Sequence, residues 1–373
     1  MKLMHLADLH IGKRVNEFSM LEDQRYILGE IIKIAEREKV DTVMIAGDIY
    51  DKSQPSNEAV ELFDDFLVRL SRLGLNIFAI SGNHDSPERI AFAGRIMQES
   101  RVFMSPVYEG NTEKITLTDD YGNINFFMLP FIKPAGVRRF FPDKEIASYQ
   151  EAVALAVGKM EADERERNIL ITHQFVVGSE RCESEEISVG GTDNVDASCF
   201  SKFDYTALGH LHRPQSCTRE TVRYSGTPLK YSFSEVSDKK SVTIIELKEK
   251  GNIDIYTVPL IPLHNMVELR GSFSALSDSA LYTEDYVRII LTDKDDILDA
   301  IGQLKIIYPN LMRLEYDNER TRKNNEISGA SNVREKSSME LFSEFYELQN
   351  NAPMTDEQCK YMEKLIEEMW GEE

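Results

Sequence analysis

Residues 42–48 read TVMIAGD, an apolar run followed by a glycine and an aspartate. A short, continuous run of this kind predicts a buried strand. Four further apolar runs also end on residues that can bind a metal ion: residues 3–7 before Asp8, 77–81 before Gly82 and Asn83, 169–172 before His173, and 205–208 before Gly209 and His210. Ligands bind outside the carboxyl ends of strands in open α/β sheets, so we expect these endings to converge on one crevice.

The residues after these strands offer both nitrogen and oxygen as ligands. Asp8 and His10 lie two positions apart, as do His210 and His212, and an extended backbone would direct both members of each pair to one side. Mixed ligands of this kind suit Mn²⁺, Fe or Zn²⁺ better than Mg²⁺, which prefers oxygen and water. We therefore expect manganese.

The number of candidate ligands predicts two divalent metal ions. Two ions about 3.5–4 Å apart need a shared ligand, and the carboxylate of Asp48 is suited to bridge them. A water between the ions would then attack phosphorus in line. The remaining ligands divide into two groups, Asp8, His10 and His212 for one ion and Asn83, His173 and His210 for the other.

His84 follows a ligand without having to be one. We expect it to contact the phosphoryl oxygens or to protonate the departing alkoxide, with Asp85 orienting it. Each motif is weak alone, but five of the seven histidines fall within these motifs, and their joint occurrence is a strong signal. We expect the other two, His5 and His264, to be structural.

Length and composition are those of an ordinary globular protein. The chain has 373 residues, enough for two domains, and 42% of them are hydrophobic. No apolar run approaches the length of a membrane span, and the first residues do not form a signal peptide, so we expect a cytoplasmic protein without a membrane segment. The cysteines are widely spaced, which disfavours a disulfide framework and a structural zinc site: Cys182, Cys199, Cys217 and Cys359.

The net charge of −21 disfavours tight, unaided binding to DNA or RNA, because affinity for phosphate backbones comes mainly from lysine and arginine. The predicted metal centre is a local exception. It holds only two carboxylates, Asp8 and Asp48, against two divalent cations, so it would attract phosphate.

Apolar periodicity predicts a two-sheet sandwich flanked by helices in residues 1–262. Strands alternate with helices at about 20–39, 57–73 and 87–99, and a second series of strands lies between about 114 and 258. PLIPL at 259–263 marks a boundary. After it, strands at about 266–269 and 286–291 and a helix at about 297–307 predict a small α/β domain in residues 263–316.

The C-terminal part predicts a linker and a helical hairpin. Residues 317–338 lack apolar periodicity, as a solvated linker does. Residues 339–373 contain two amphipathic helices, with Thr355 as the N-cap of the second and Gln358 closing a capping box. The hairpin either docks on its own catalytic domain or binds an external partner. We favour the partner, because amphipathic helices behind linkers commonly bind in this way.

Together these segments resemble the metallophosphoesterase superfamily, with its calcineurin-like fold, and more narrowly the family of SbcD subunits of SbcCD DNA repair nucleases. Two of the segments discriminate best against general phosphatases, FDYTALGHLHRPQ at 203–215 and YSGTPLKYSFSE at 224–235. The others are LADLHIGK at 6–13, AGDIYDKSQPS at 46–56 and SGNHDSPERI at 81–90.

The resemblance implies a set of site residues that agrees with the reading of the motifs. The implied metal ligands are Asp8, His10, Asp48, Asn83, His173, His210 and His212, and the implied catalytic residue is His84. Archaeal and eukaryotic relatives tend to have histidine at the position of Asp51, so the resemblance does not extend to a second catalytic histidine.

The resemblance also implies a function and partners. It implies a manganese-dependent nuclease in DNA double-strand break repair, recombination and replication, acting as an exonuclease on duplex ends and an endonuclease on single strands or hairpins. Residues 263–316 would form a capping domain that positions DNA, and residues 339–373 would bind an SbcC-like ATPase of the SMC type. A homodimer within a heterotetramer, formed through helices near 57–73 and 87–99, is also implied.

Two alternatives remain at this point. A phosphatase or cyclic-nucleotide phosphodiesterase of the same fold is disfavoured by residues 224–235 and by the hairpin, and a mainly scaffolding role in an ATPase complex is disfavoured by the intact ligand set. Six cationic side chains are either phosphate contacts or part of a solvated face: Lys13, Arg14, Lys133, Arg138, Arg139 and Arg213.

Overall fold

The structure is a computed structural model, and most of its described residues belong to the first 318 positions. It describes residues 1–177, 179, 194–318, 339, 342, 343, 346, 354, 355, 358–362 and 365. Most of the predicted linker and of the predicted hairpin lies outside the described residues, as does Cys182. Within the described part, no helix is long and apolar enough to cross a membrane.

Strands of the described residues are mostly five to eight residues long. In chain order they are β1 (Lys2–Leu6), β2 (Arg14–Val15), β3 (Phe18–Ser19), β4 (Thr42–Ala46), β5 (Asn76–Ile80), β6 (Val102–Met104), β7 (Lys114–Asp119), β8 (Gly122–Leu129), β9 (Arg167–His173), β10 (Phe175–Val176), β11 (Asn194–Val195), β12 (Tyr205–Gly209), β13 (Gln215–Cys217), β14 (Arg219–Tyr224), β15 (Ser241–Leu247), β16 (Ile253–Pro259), β17 (Met266–Gly271), β18 (Tyr286–Leu291) and β19 (Leu311–Tyr316).

Two long helices accompany a series of short ones. They are α1 (Leu21–Glu38), α2 (Asn57–Arg72), α3 (Pro87–Ala91), α4 (Gly94–Met97), α5 (Pro134–Arg138), α6 (Tyr149–Gly158), α7 (Phe273–Leu276) and α8 (Ala300–Leu304). Helix α1 buries an apolar stripe that includes Ile27 and Ile31, and the residue after its end, Lys39, has a left-handed φ of 54°. Helix α2 is capped by Ser56, whose side chain accepts a hydrogen bond from the backbone N–H of Ala59 at 3.3 Å.

Two six-stranded sheets form the first compact unit, which comprises Met1–Glu268 and Glu284–Val287. One sheet has the order β16-β15-β1-β4-β5-β6, and the other has the order β13-β14-β12-β9-β8-β7. In the first, β1, β4, β5 and β6 are parallel. In the second, β8, β9, β12 and β14 are parallel. Parallel neighbours bring their carboxyl ends to one edge, which is where the predicted ligands follow.

The apolar core lies between the two sheets. Side chains of both sheets pack in one cluster, and Phe78 of β5 stacks on Phe126 of β8 with ring centroids 4.4 Å apart and planes 13° apart. A second cluster packs the other face of the β8–β9–β12 sheet against α6. The predicted two-sheet sandwich flanked by helices is confirmed.

Two predicted helices are shorter than expected. The one predicted over about 87–99 is broken, because Phe92 has an extended ψ of 131° and Ala93 a left-handed φ of 58°. The one predicted over about 297–307 is only α8, since Asp299, with φ 49°, serves as its N-cap and accepts a hydrogen bond from Gly302 N.

Leu269–Thr283 and Arg288–Glu373 form a second compact unit. The three-stranded sheet has the order β17-β18-β19. In this unit Tyr308 is fully buried and its hydroxyl donates to the Leu276 carbonyl at 3.1 Å. Among the described C-terminal residues, the predicted capping box is formed: Thr355 N donates to Gln358 Oε1 at 2.9 Å, and Gln358 N donates to Thr355 Oγ1 at 3.4 Å.

Candidate metal centre

The backbone turns sharply where the predicted ligands leave their strands. Asp8, His10, Asp48 and His210 all have positive φ, at 53°, 44°, 47° and 107°. The expectation that each pair of ligands projects from an extended backbone is therefore wrong. Cross-strand hydrogen bonds hold these turns, from Asp8 N to the Gly47 carbonyl at 3.0 Å and from His10 N to the Asp48 carbonyl at 2.9 Å.

Glycine is required at two close approaches at the centre, one between the two sheets and one between the loops that follow β4 and β5. A Cβ on Gly209 would lie 1.8 Å from the Ala46 carbonyl oxygen, and a Cβ on Gly82 would lie 2.1 Å from Asp48 Oδ1. Contacts this short cannot be relieved by a small side-chain movement. A side chain at either position would therefore block the close approach of the backbone.

Asp48 lies at the middle of the arrangement. Its Oδ2 atom is 3.4 Å from His173 Nε2, 3.7 Å from His10 Nε2 and 3.9 Å from His84 Nε2. Its other oxygen, Oδ1, accepts a hydrogen bond from His84 N at 2.9 Å. One carboxylate oxygen facing three imidazole nitrogens has the position that a bridging ligand needs.

Both predicted ligand groups are brought together. The ligand atoms of Asp8, His10 and His212 lie within 4.8 Å of one another, and Nε2 of His10 is 3.1 Å from Nε2 of His212. In the second group, the Oδ1 atom of Asn83 lies 3.0 Å from both His173 Nε2 and His210 Nδ1.

The protonation states of His10, His212 and Asp48 agree with metal binding, whereas His173 must lose a proton before it can bind a metal ion. Burial lowers the pKa of His10 and of His212, so both imidazoles are neutral at pH 7. Burial also disfavours a charge on His173, but the negative charges of Asp48 and Asp8 outweigh it and raise the pKa of His173 to about 9. Burial opposes the charge on Asp48 too, yet His173 and His10 hold its pKa well below its usual value.

Two divalent ions fit this set of residues, because the buried donors are imidazole nitrogens and carboxylate and amide oxygens that face one another at short distances. Neutral imidazole and ionised carboxylate are the forms that bind metal. The ligand role of each residue remains a prediction.

His84 lies beside the ligands and is held from behind. Its Nδ1 is 3.0 Å from the carbonyl oxygen of Asp51, which can only accept, so Nδ1 carries the proton. This arrangement directs Nε2 towards the centre. The expectation that Asp85 orients His84 is wrong, because it is the Asp51 carbonyl that does so.

Asp85 has a different function in the structure. Its carboxylate accepts hydrogen bonds from three backbone N–H groups, those of Ile49 at 3.0 Å, Tyr50 at 2.9 Å and Gly82 at 2.9 Å. It therefore ties the loop after β4 to the loop after β5. Burial, together with the charge of Asp48, raises the pKa of Asp85 to about 6.

A buried network behind His212 was missed by sequence reasoning. Glu235 Oε1 lies 3.8 Å from His212 Nδ1, and Glu235 Oε2 accepts from Lys240 Nζ at 2.6 Å. The same ammonium donates to the His212 carbonyl at 2.8 Å and to Thr227 Oγ1 at 2.8 Å. Burial opposes the charge on Glu235, but His212 and Lys240 hold its pKa at about 2. The only sequence signal was the segment at 224–235, which ends on Glu235.

A second set of supporting contacts was also missed. Gln24 Nε2 donates to the His10 carbonyl at 2.7 Å, and the Tyr231 hydroxyl donates to the Leu9 carbonyl at 2.7 Å. Gln24 Nε2 also donates a hydrogen bond to the Tyr231 hydroxyl at 2.9 Å. Together they fix the turn that carries Asp8 and His10.

The two remaining histidines are structural, as predicted. His5 is fully buried, with Nδ1 2.9 Å from the Tyr205 hydroxyl and Nε2 3.1 Å from the Leu208 carbonyl. His264 Nδ1 lies 3.2 Å from the carboxylate of Asp23.

Most of the six candidate phosphate-binding cations have other partners. Lys13 pairs with Asp51 at 2.7 Å and Arg213 with Asp238 at 3.0 Å. The guanidinium groups of Arg14 and Arg138 donate to the backbone carbonyls of Glu17 and Ile146. Within the described part of the chain, the exposed side chains of Lys133 and Arg139 make no hydrogen bond or ion pair.

Two family models and several named proteins match parts or most of this chain. Residues 1–214 match the model of the calcineurin-like phosphoesterase family, and residues 262–350 match the model of the type 5 capsule protein repressor C-terminal domain. The chain is 35% identical to a protein of Staphylococcus epidermidis that is named as the SbcD component of the nuclease SbcCD, over 84% of this chain and 85% of that protein.

A second relative and one solved structure extend the comparison. A protein of Staphylococcus saprophyticus that carries the same name is 31% identical, over 98% of each chain. The crystal structure of a dimetal phosphatase from Danio rerio is 12% identical, covering 70% of this chain and 99% of that chain with a TM-score of 0.39.

Proposed function

Because the chain belongs to the calcineurin-like phosphoesterase family, and within it to the SbcD family of nuclease components, we propose that it is a metal-dependent nuclease that hydrolyses phosphodiester bonds in DNA. The observation that carries this proposal is the convergence of two ligand groups on Asp48 Oδ2, with His84 beside them. A phosphatase of the same fold would share this centre, but the two bacterial relatives are both named as components of a nuclease.

Each side chain at the centre has a separate task in this proposal. Two bound divalent ions would lower the pKa of a shared water and polarise the phosphoryl oxygens. Asp48 would hold the two ligand groups at a fixed separation. In its doubly protonated form, with one proton on Nδ1 and a second on Nε2, His84 would give the Nε2 proton to the departing ester oxygen. In that step the water oxygen bonds to phosphorus, and the bond between phosphorus and the departing oxygen breaks.

The proposal also specifies the metal ion, two modes of cleavage and the assembly in which the protein acts. Imidazole nitrogens in both ligand groups support manganese over magnesium. We propose exonuclease activity on duplex ends and endonuclease activity on single strands or hairpins, with residues 263–316 capping the site. The match of residues 262–350 to a C-terminal family model supports a partner-binding part, and we propose that residues 339–373 bind an SbcC-like ATPase within a complex that contains two copies of each protein.

One experiment tests the nuclease function directly. Purified chain is incubated with Mn²⁺ and either end-labelled linear DNA or bis(4-nitrophenyl) phosphate, with and without EDTA. Asp48→Asn should abolish both activities, because it weakens the bridging ligand. Asp254→Asn, the same substitution in an exposed strand residue, is the matched control and should retain them.

The outcomes separate the candidate functions. DNA cleavage that is lost with EDTA and with Asp48→Asn supports a nuclease. Hydrolysis of the small diester without DNA cleavage, even after addition of the ATPase partner, would instead support the phosphodiesterase alternative. Parallel reactions with Mg²⁺ and Zn²⁺, and metal analysis of the purified chain, test manganese.

A further inference from the structure

A cavity of about 330 Å³ lies in the first compact unit, beside the metal centre. Its walls come from the segment before β7 and from the loop and helix that follow β8, and they include Tyr108, Phe131, Lys133, Arg139 and Phe140. Its volume is within the range of pockets that bind small molecules. None of these five residues belongs to the ligand set.

One aromatic ring separates the cavity from two of the predicted metal ligands. The ring of Phe131 lies parallel to the imidazole of His210, with centroids 6.4 Å apart and planes 14° apart, and edge-on to His173 at 6.1 Å. Its backbone N–H donates to the Ser81 carbonyl at 3.0 Å, directly before Gly82. The cavity is therefore placed next to the point where a phosphodiester would be cut.

The charge around this cavity is positive, whereas the net charge of the whole chain is strongly negative. The protein has a net charge of −21, yet Lys133 and Arg139 are exposed and make no ion pair among the described residues. Glu109 is the one acidic side chain among the described residues of the wall, so the local balance is positive. Unpaired cations beside a hydrolytic centre suit an anionic group such as a backbone phosphate.

The aromatic part of the wall is exposed and held in place. Phe140 remains 41% exposed and meets the ring of Tyr108 edge-on, with centroids 6.2 Å apart. Gly110, with φ 87°, leaves room for it, because a Cβ there would lie 2.8 Å from Phe140 Cβ. A fixed, exposed ring is a platform on which a nucleobase can stack.

A polar group in the wall has no partner. The hydroxyl oxygen of Tyr108 is buried and makes no hydrogen bond to any described residue. Such an atom costs free energy unless a ligand or an ordered water satisfies it. It can bond to a base edge or to a sugar.

We propose that this cavity binds one nucleotide of an unpaired strand, adjacent to the phosphate that is cut. The base stacks on Phe140, the flanking phosphate contacts Lys133 and Arg139, and the Tyr108 hydroxyl bonds to the nucleotide. The inference rests on the proposed nuclease function and names the part of the substrate that this site would recognise. It predicts that an unpaired nucleotide next to the cut improves cleavage.

The first test removes the charges. Lys133→Gln/Arg139→Gln should raise KM and the binding Kd for a single-stranded oligothymidine about tenfold, because two phosphate contacts are lost. Bis(4-nitrophenyl) phosphate is too short to reach the cavity, so kcat/KM should fall about tenfold more for the oligonucleotide than for the diester. Lys159→Gln/Arg165→Gln makes the same charge change on exposed residues outside the cavity and should affect the two substrates equally.

The second test removes the stacking surface. Phe140→Ala should weaken oligonucleotide binding about tenfold, and Phe140→Trp should restore it. A set of oligonucleotides, each with one abasic site at a different position along the strand, completes a double-mutant cycle with Phe140→Ala. At one position next to the cut, the abasic site and Phe140→Ala should be non-additive, because each removes the same contact.

The results distinguish this inference from the proposed function. If the wild type cleaves DNA and the charge and Phe140 variants cleave and bind it equally well, the nucleotide site is wrong and the nuclease function stands. Additivity at every abasic position would also overturn the site. If the wild type hydrolyses only the small diester and does not bind the oligonucleotide, the nuclease function and the nucleotide site both fail.

Discussion

Single hydrogen bonds behind the imidazoles decide which nitrogen each one presents to the centre. His173 Nδ1 lies 2.8 Å from the Ala46 carbonyl, and His84 Nδ1 lies 3.0 Å from the Asp51 carbonyl. A carbonyl can only accept, so in each ring Nδ1 carries a proton and Nε2 is directed inward. Such partners orient ligands and tune their basicity, and their loss typically weakens metal binding.

His84 is the residue for which catalysis and metal binding can be separated. We expect His84→Gln to retain the bound metal, because His84 lies beside the predicted ligands but is not one of them. Cleavage should fall about 10²- to 10⁴-fold, the usual contribution of a positioned proton donor. Metal content and DNA hydrolysis are measured on the same preparation.

The control is His264→Gln, which makes the same change at a structural histidine in contact with Asp23. It should leave cleavage near the wild-type rate. If His84→Gln cleaves as fast as the wild type, the proton-donor role is wrong. If it loses metal, His84 is a ligand.

Glu235 is a positioning residue for His212, and its variant should separate stability from metal affinity. Glu235→Gln leaves Lys240 charged and buried without its carboxylate, which should cost about 3–5 kcal/mol in the free energy of unfolding. Loss of the support behind His212 should also weaken metal binding about 10- to 100-fold. Denaturant unfolding of the metal-free protein and a metal titration measure the two effects.

The double variant Glu235→Gln/Lys240→Met distinguishes positioning from a purely structural role. It removes the unpaired charge, so part of the lost stability should return. Metal affinity should stay low, because His212 still lacks its carboxylate. Recovery of both quantities would mean that Glu235 acts only through stability.

At the scale of whole elements, apolar periodicity was sufficient to predict the positions of most strands and of the two long helices. The second series of strands, predicted between about 114 and 258, runs from β7 to β16, and the strand predicted at about 286–291 is β18. The turns after the strands were not predictable from spacing. The positive φ of Asp8 and Asp48 is imposed by hydrogen bonds between separate strands, and no local pattern in the sequence records them.

The absence of a local sequence pattern also explains why some residues that support the site were not predicted. The seven predicted ligands lie in short motifs that follow strands, so the chemistry they offer was visible in the sequence. Lys240 and Gln24 have no such motif, and they lie 28 and 14 residues along the chain from the histidines whose carbonyls they contact. Asp85 was visible but was given the wrong partner, because its three backbone donors come mainly from the loop after another strand.

One ion pair joins the end of β7 to the beginning of β9, at the edge opposite the metal centre, and it should make stability depend on pH. Arg167 of β9 donates to the carboxylate of Asp119 of β7, with Nη2 2.5 Å from Oδ1. Burial opposes the charge on Asp119, but Arg167 outweighs it and lowers the pKa of Asp119 below its usual value.

We expect Asp119→Asn to lower the free energy of unfolding by about 1.5–3 kcal/mol at pH 7, as for hydrogen bonds to charged groups. A lowered pKa stabilises the fold above the unfolded-state pKa of about 3.9, and the effect is lost as pH falls towards the folded-state pKa. The difference between wild type and variant should therefore shrink below about pH 4. Denaturant unfolding at several pH values measures it, and a constant difference would contradict the ion-pair explanation.

At the scale of the whole molecule, charge limits what the chain does alone. The net charge is −21, and Lys13 and Arg213 are already paired to carboxylates, so few of the six candidate phosphate-binding cations are left to hold a long duplex. The proposed nucleotide site would hold one unpaired nucleotide, not a duplex. A partner that supplies most of the DNA contact fits this balance, and the C-terminal residues are our candidate for binding it.

Deleting residues 339–373 should abolish association with the SbcC-like ATPase in a pull-down, while metal content and hydrolysis of the small diester persist. Tyr361 sharpens the test, because it is 65% exposed on a described helical turn. If its ring is an anchor in a groove of the partner, Tyr361→Glu should weaken binding by about 2 kcal/mol, roughly thirtyfold, and Tyr361→Phe should not. Equal affinity of both variants would exclude Tyr361 as an anchor. Association retained by the deletion would show that the ATPase is bound by another part of the chain, and the excess acidic charge would then need a different explanation.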